Sequence, residues 1–330
     1  MIDRINYIFR KRLPTYNSIE ELFGSIANEV SKTRPTQSMA MPHSGASPSV
    51  LIKNLRFFDK KTRGIRHITG DVHYMALSTG KHTVLTIHDI KSASQGNIFK
   101  VLYVHLFWFW LPALFVNRIT VISEFTKEEL GKITPFAKHK IRVVSNPVNP
   151  TLKPTPYKFN TDNPNILVVG TKANKNLERC FEALKDISCQ LTIIGQLTSD
   201  QSQRLQALGI DYHNRTNLTF SQVADCYIQA DMLCFASTYE GFGMPIIEAQ
   251  AVGRPVLTAN FGAMKEVAQD SACLVNPYEV DAIKAGVLRI LSDEAYRSEL
   301  ITKGLKNVER FQSAKIAQEY IEIYQEMLQE

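Results

Sequence analysis

Glu240 and Glu248 stand on either side of a glycine turn, Glu240-Gly241-Phe242-Gly243-Met244-Pro245, with seven residues between them. An apolar strand, MLCFA (232–236), leads into the turn. Pro245, a residue type favoured at the first helical position, opens a short helix that Gly253 stops. Free backbone N–H groups and the helix dipole at such a start make an anion site. The glycines let a phosphate approach the backbone closely. A carboxylate beside a phosphate cradle is repelled by the phosphate, so both glutamates are expected to face hydroxyls, which a carboxylate accepts in a bidentate way. Gly241, Phe242, Gly243 and Met244 form the cradle, and Phe242 can also pack beneath it.

A second candidate group follows the strand NILVVG (165–170), where Gly170 is succeeded by Thr171, Lys172 and Lys175. A lysine placed after a strand-ending glycine can, with backbone amides, neutralise a bound anion. Lys175 is the expected partner, with Lys172 as a second charge. In the first half, the strands IRHIT (65–69) and VLTIH (84–88) release Asp71-Val72-His73 and His88-Asp89 at their carboxyl ends. Open α/β sheets keep their sites there. Asp89 either orients the His88 imidazole or caps the next helix. His67, Asp71 and His73, with Asp89 nearby, complete no zinc-type spacing, so no metal is expected. Asp71, His73 and Asp89 are instead expected to line a cleft.

Glu240 and Glu248, enclosing Gly-Phe-Gly-Met-Pro, resemble the signature of retaining GT-B glycosyltransferases of the family-4 type (glycosyl transferases group 1). That large family includes sucrose-phosphate synthase and bacterial lipopolysaccharide and mannosyl transferases. The resemblance extends through SQVADCYIQADMLCFASTYEGFGMPIIEAQAVGRPVLTANFGAMKEV, RITVISEFTKEEL, IRVVSNPVN and VLTIHD, and is strongest from 118 to 330. It implies an α/β GT-B fold, two doubly wound Rossmann-like domains facing a cleft. It further implies that Glu248 accepts the ribose hydroxyls of a nucleoside-diphosphate sugar. Glu240 would stand by the transferred sugar, His88 would contact the donor sugar, and Lys175 would match the family's lysine. The implied reaction is front-side transfer with retention, without metal or cofactor. Two features depart from the family. The first strand leads into RKRLPTYNSIEELF with no glycine pair, leaving Arg10 and Arg12 as substitutes over the donor phosphates. Thr171 stands where an arginine often follows the first strand of the second domain.

The elements that must position these residues alternate between strand and helix. INYIFR (5–10), IRHIT, VLTIH, RITVIS (118–123) and IRVVS (141–145) are the expected strands of the first half, with 33–48 a loop. Ser18 to Glu21 has capping-box spacing, as has Thr126 to Glu129. In the second half the strands are NILVVG, LTIIG (191–195), MLCFA, PVLT (255–258) and Cys273-Leu-Val, with Ser221 capping a helix. Prolines crowd 146–165, which predicts a linker. The expected organisation is an acceptor-binding domain over 1–150, a linker over 151–164, a nucleotide-sugar domain over 165–312, and a terminal helix over 313–330 packing back on the first domain.

The length of 330 residues suits two domains, and 44% hydrophobic with 21% charged residues is ordinary for a soluble protein. The net charge of +6 is uneven: 21 Lys and Arg against 10 Asp and Glu in residues 1–150, and 17 against 22 in the remainder. No nucleic-acid motif accompanies the basic half, so a membrane surface is its expected partner. The apolar run 101–116 holds His105 and Pro112 and is too short to span a bilayer. Its Trp108-Phe109-Trp110 cluster fits either a core or a lipid-facing surface. Five scattered cysteines and a start without an apolar leader segment predict a reduced, cytoplasmic setting, peripheral at the inner face of the membrane. The expected acceptor is a saccharide, free or polyprenyl-diphosphate-linked. Two rivals remain: a dinucleotide-dependent oxidoreductase, for which VVGTKANKN lacks GxGxxG, and a non-catalytic nucleotide-sugar or glycan-binding protein with a degenerate transferase fold.

Overall fold

The computed structural model describes residues 4–12, 18–58, 62–80, 82–90 and 96–329. Residues 13–17 of the basic loop expected after the first strand lie outside them. The chain divides into two units, Met1–Pro147 with Ser313–Glu330, and Val148–Gln312.

The first unit holds strands β1 (Ile5–Phe9), β2 (Thr36–Ala40), β3 (Ile65–Ile68), β4 (Thr83–Ile87), β5 (Arg118–Val121) and β6 (Ile141–Val143). They form one parallel sheet in the order β2-β1-β3-β4-β5-β6. Every residue of β1 and β4 is buried, as a parallel sheet covered on both faces requires. The strand order reverses between β1 and β3, which places the unit's crevice at their carboxyl ends. Strand β2 corrects the loop expected over 33–48. It is an edge strand, TQSMA, left partly exposed, so it carries no apolar run to betray it.

The terminal helix Ser313–Gln329 packs on the helix Ser18–Ser31. It buries Ile316, Tyr320, Ile323, Tyr324 and Met327 against Ile5, Tyr7 and Phe23. Each such side chain contributes about 1.5–3 kcal/mol. His67 is a structural residue of this core. Its ring nitrogens meet the Tyr324 hydroxyl at 2.6 Å and the Thr86 hydroxyl at 2.7 Å. Burial, with His88 adding, lowers its pKa to about 3.

The apolar run of the first unit is a single helix, Ile98–Phe115, three residues longer at its start than the sequence suggested. Asn97 caps it by accepting the Lys100 N–H at 3.0 Å. His105–Trp110 forms a π-helical turn. Lys140 closes the end, its ammonium donating to the carbonyls of Ala113 and Val116 at 2.9 Å each. The next helix, Glu124–Ile133, is capped by Ser123 rather than Thr126.

The second unit holds β7 (Asn165–Val169), β8 (Gln190–Ile194), β9 (Asp211–Arg215), β10 (Met232–Phe235), β11 (Val256–Ala259) and β12 (Cys273–Val275). Their order is β12-β11-β10-β7-β8-β9, all parallel. This is the 3-2-1-4-5-6 order of dinucleotide-binding sheets, with its reversal between β7 and β10. Strand β9, DYHNR, had no expected counterpart, being a polar and mostly exposed edge strand. Thr219, not Ser221, caps the helix Phe220–Gln229, through a capping box with Gln222.

The proline-dense stretch lies along this second unit. The Arg254 guanidinium sits 3.5 Å from the Tyr157 ring centroid, and Arg297 sits 4.0 Å from that of Phe159. Asp231 accepts the backbone N–H groups of Asn160 and Asn165, each at 2.8 Å. Arg254 is buried and donates to the carbonyls of Ile228, Val252 and Ala230, so it holds the unit together. All five cysteines are buried and unbridged.

Candidate active site

Gly170 follows β7 with φ +90, and a Cβ there would lie 2.6 Å from Lys175 Cε. The missing side chain is therefore what lets the lysine stem fold back over the backbone. Asn176 takes the left-handed conformation and anchors the turn, donating to Ala236 O at 3.0 Å and Pro277 O at 2.6 Å. The Lys175 ammonium then meets Glu240 Oε1 at 2.7 Å and lies 4.7 Å from the Phe235 ring centroid. Asn174 donates to the same Oε1 at 3.1 Å and to Tyr239 O at 2.9 Å, while the Thr238 N–H donates to Asn174 O at 2.8 Å. The loops after β7 and β10 are thus stitched together at the sheet's reversal point. The Lys175 and Glu240 side chains are each 16% exposed, which makes the pair reachable yet largely desolvated.

Gly243, at φ +107, caps the helix Met244–Ala251, so Pro245 occupies the second helical position rather than the first. Gly241 and Met244 are half-buried. Phe242 is buried and meets Phe311 edge-on at 5.5 Å, which makes it the floor of the turn. Glu248 is 9% exposed and accepts the Tyr227 hydroxyl at 2.6 Å. Tyr227 thereby orients this carboxylate. Sequence reasoning missed it because the two residues are 21 apart on different helices. Ser237, in the loop after β10, is also new: its hydroxyl is buried with no hydrogen-bond partner among the described residues. Thr171 donates to Gln196 O at 2.7 Å, and Lys172 is exposed; neither joins the Lys175–Glu240 pair.

In the first unit His88 follows β4. Its Nε2–H donates to Thr69 O at 2.8 Å, which leaves Nδ1 as the acceptor of the neutral ring. Gly70, at φ +142, would put a Cβ 2.9 Å from His88 Cδ2, so the ring rests on bare backbone. Burial pushes the His88 pKa down; the Thr69 carbonyl and Asp71 oppose it, and Arg10 adds to it. Arg10, at the end of β1, donates to Glu20 Oε1 at 2.9 Å and is ion-paired with Asp71. Arg10 is thus committed to two carboxylates, one of them, Glu20, unforeseen. Arg12 is exposed; Asp89 is exposed too, and lies near enough to His88 to raise its pKa. His73 is not a cleft residue. It is buried, donates from Nδ1 to Trp108 O at 2.8 Å, and burial lowers its pKa to about 4. Among the described residues no group of three or more His, Cys, Asp or Glu is placed to hold a metal ion.

Residues 151–307 match the family model for "Glycosyl transferases group 1". The chain carries a group 1 glycosyl transferase domain. The match encloses Gly170, Lys175, Glu240, Gly243 and Glu248, and lies outside Arg10, Asp71 and His88. O-antigen chain mannosyltransferase B of Escherichia coli is 38% identical over 85 residues, covering 26% of this chain and 22% of that protein. Alignments with other curated relatives span 59% and 36% of their lengths, so the chain matches less than two thirds of each. Among solved structures, sucrose-phosphate synthase from Thermosynechococcus elongatus superposes with a TM-score of 0.77 at 18% identity over 99% of both chains. HepE of Anabaena, solved with UDP and glucose, gives 0.79 at 14% identity over 98% of this chain and 100% of its own. The group 1 domain is therefore the second part of a two-domain α/β protein with the GT-B fold.

Proposed function

We propose that this protein moves a sugar from a nucleoside-diphosphate donor to a saccharide acceptor in surface polysaccharide synthesis, with retention and without metal or cofactor. The Lys175–Glu240 pair at the β7/β10 reversal, beside the Gly243 helix start, is the observation that carries the reading. Lys175 donates one N–H to Glu240, and an ammonium has three. The others serve the leaving diphosphate, together with the amides of the Gly243 turn. Both hydrogen bonds to Glu240 fall on Oε1, so Oε2 is the atom offered to the sugar. Glu248, steadied by Tyr227, takes the ribose hydroxyls, and His88 presents Nδ1 to the donor sugar. The leaving phosphate takes the acceptor proton.

Mannose is the sugar to test first, since an O-antigen mannosyltransferase is among the relatives. The acceptor is a saccharide, polyprenyl-diphosphate-linked where it is membrane-bound, and the basic first unit meets the membrane. A thermal-shift series over guanosine, uridine and adenosine diphosphate sugars tests the donor. One donor should raise Tm, since saturation at 100 Kd adds about 2.7 kcal/mol. No shift with any of them sinks the reading. Hydrolysis of the bound donor separates an enzyme from a protein that only binds.

A further inference from the structure

Among the described residues ten large hydrophobic side chains are exposed, and eight of them belong to the first unit. Five sit on the Ile98–Phe115 helix: Ile98, Phe99, Leu102, Leu114 and Phe115, with Phe99 as much as 79% exposed. A core helix does not look like this. Only 17% of this one is buried, although its mean hydropathy is 1.6. Phe109, Pro112 and Ala113 pack it onto the fold. Three hydrogen bonds pin it along its length: Tyr103 to Ala46 O at 2.7 Å, Trp108 to Asp71 O at 2.7 Å, and Trp110 to Ile133 O at 2.9 Å. Its 18 residues rise about 27 Å, short of the ~30 Å of a bilayer core. It is tied along the unit and is not free to cross a membrane.

The π-helical turn has a consequence for this surface. In an uninterrupted helix, at ~100° per residue, Leu114 would stand about 160° from Ile98. The extra residue of a π turn brings it back by ~100°, to the side that carries Leu102. The exposed apolar residues are thereby gathered toward one face.

The two helices that bear this face carry charge of one sign. No Asp or Glu occurs from Lys32 to Phe58 or from Ile90 to Asn117. The helix Pro48–Phe57 packs on the same short helix, Ala76–Thr79, as the end of the apolar helix does. It exposes Ile52 and Phe57 alongside Lys53 and Arg56. We propose that the exposed face of the Ile98–Phe115 helix, with the Pro48–Phe57 helix beside it, seats on the surface of an anionic lipid bilayer. Apolar side chains enter the acyl boundary while Lys53, Arg56 and Lys100 meet the headgroups. A second copy of the chain fits less well, because a symmetric contact would set these same cations against themselves. The assignment deepens the membrane part of the function proposed above and does not require sugar transfer.

The test is flotation of the full chain with vesicles of phosphatidylcholine alone and of phosphatidylcholine mixed with phosphatidylglycerol. The expected result is binding to the mixed vesicles only, weakened at least about tenfold by Phe99→Ser with Leu102→Ser, and likewise by Lys53→Glu with Arg56→Glu. The substituted side chains are exposed, so Tm and donor thermal shifts should stay at wild-type values. Failure to float, or flotation unchanged by both double variants, overturns the proposal. So does self-association in sedimentation that the Phe99→Ser, Leu102→Ser variant abolishes, which would give the face to a second copy. A donor thermal shift that persists while flotation fails would leave the transferase reading standing alone.

Discussion

The two sheets reverse their strand order at different places, and each reversal holds a cation–carboxylate pair. In the second unit Lys175 after β7 meets Glu240 after β10; in the first, Arg10 after β1 meets Asp71 after β3. Beside each pair a positive-φ glycine makes room for a candidate site side chain, Gly170 for Lys175 and Gly70 for His88. The pairs differ in how they are held. Lys175 and Glu240 are equally shielded, at 16% exposure, and Asn174 locks the carboxylate. Arg10 is held by the nearly buried Glu20, whereas the Asp71 side chain is 53% exposed. A parallel sheet thus supplies the same crevice twice, and only one crevice is built to keep both charges in place.

Removing either member of the second pair should have the largest effect. Glu240→Gln and Lys175→Ala are each expected to lower turnover on the order of 100-fold or more, as losing a transition-state partner does. Glu240→Gln should leave nucleotide binding mostly intact, and Lys175→Ala should weaken it. Glu248→Gln should act on nucleotide affinity instead. Steady-state kinetics and nucleotide titration of the three variants check the division of roles. Wild-type turnover in Glu240→Gln would demote the second crevice.

The glycine pair sharpens the contrast at the next level. Both glycines take a positive φ, so alanine at either costs about 1–3 kcal/mol of backbone strain; in Gly170→Ala the new methyl also meets the stem of a flexible lysine, and Lys175 swings away. Donor affinity should fall about tenfold, the weight of one charge-assisted contact. In Gly70→Ala the methyl meets a ring that Thr69 holds, so the clash adds to the backbone strain and the loss of stability is the larger of the two. Denaturant melts and donor titrations of both variants distinguish the two cases. Equal losses of Tm would mean that Lys175 is as rigidly held as His88.

The same difference explains what could be read in advance. Central strands such as β1, β4 and β10 announced themselves because both their faces are buried, whereas β2 and β9, at sheet edges, have polar sequences. The second crevice was legible since its residues crowd into two short runs, 170–176 and 237–248, with glycine and proline marking the turns. Tyr227 and Glu20 were not, because each acts on a residue that only the folded chain brings near. His73 misled for the converse reason. It follows a strand end like a site residue, yet it serves the carbonyl of Trp108 on a helix 35 residues away.

Acid should separate the units as well. His67 and His73 have folded pKa values of about 3 and about 4 against an ordinary 6.5, both lowered by burial. Their folded values lie below the unfolded one, so the stability they contribute is present above pH ~6.5 and is lost as pH falls toward the folded values. Each withdraws about 1.4 kcal/mol per pH unit over that window. The second unit has one histidine, His213, and it is exposed. Both tryptophans, Trp108 and Trp110, lie in the first unit, so fluorescence reports that unit alone. Between pH 6.5 and 4 the fluorescence melt should fall ahead of the far-UV melt. Coincident melts at every pH would mean the units unfold together.

Asp71→Asn should have the smallest effect, and it tests the first crevice directly. The substitution keeps the side chain's shape, and Arg10 stays on Glu20. What changes is the balance at His88, whose neighbours are Arg10, Asp71, Asp89, His67 and His73. Asp71 raises the His88 pKa and Arg10 lowers it. With Asp71 neutral, only the Thr69 carbonyl and Asp89 still oppose burial and Arg10, and the His88 pKa drops further. If turnover needs neutral His88, the acid limb of kcat/KM against pH moves to lower pH, with at most a few-fold loss at neutral pH. A limb that moves upward would show that Asp71 does not set the His88 charge. A loss as deep as that of Glu240→Gln would make the two crevices equals, and the exposed carboxylate of the first would then have to touch substrate itself.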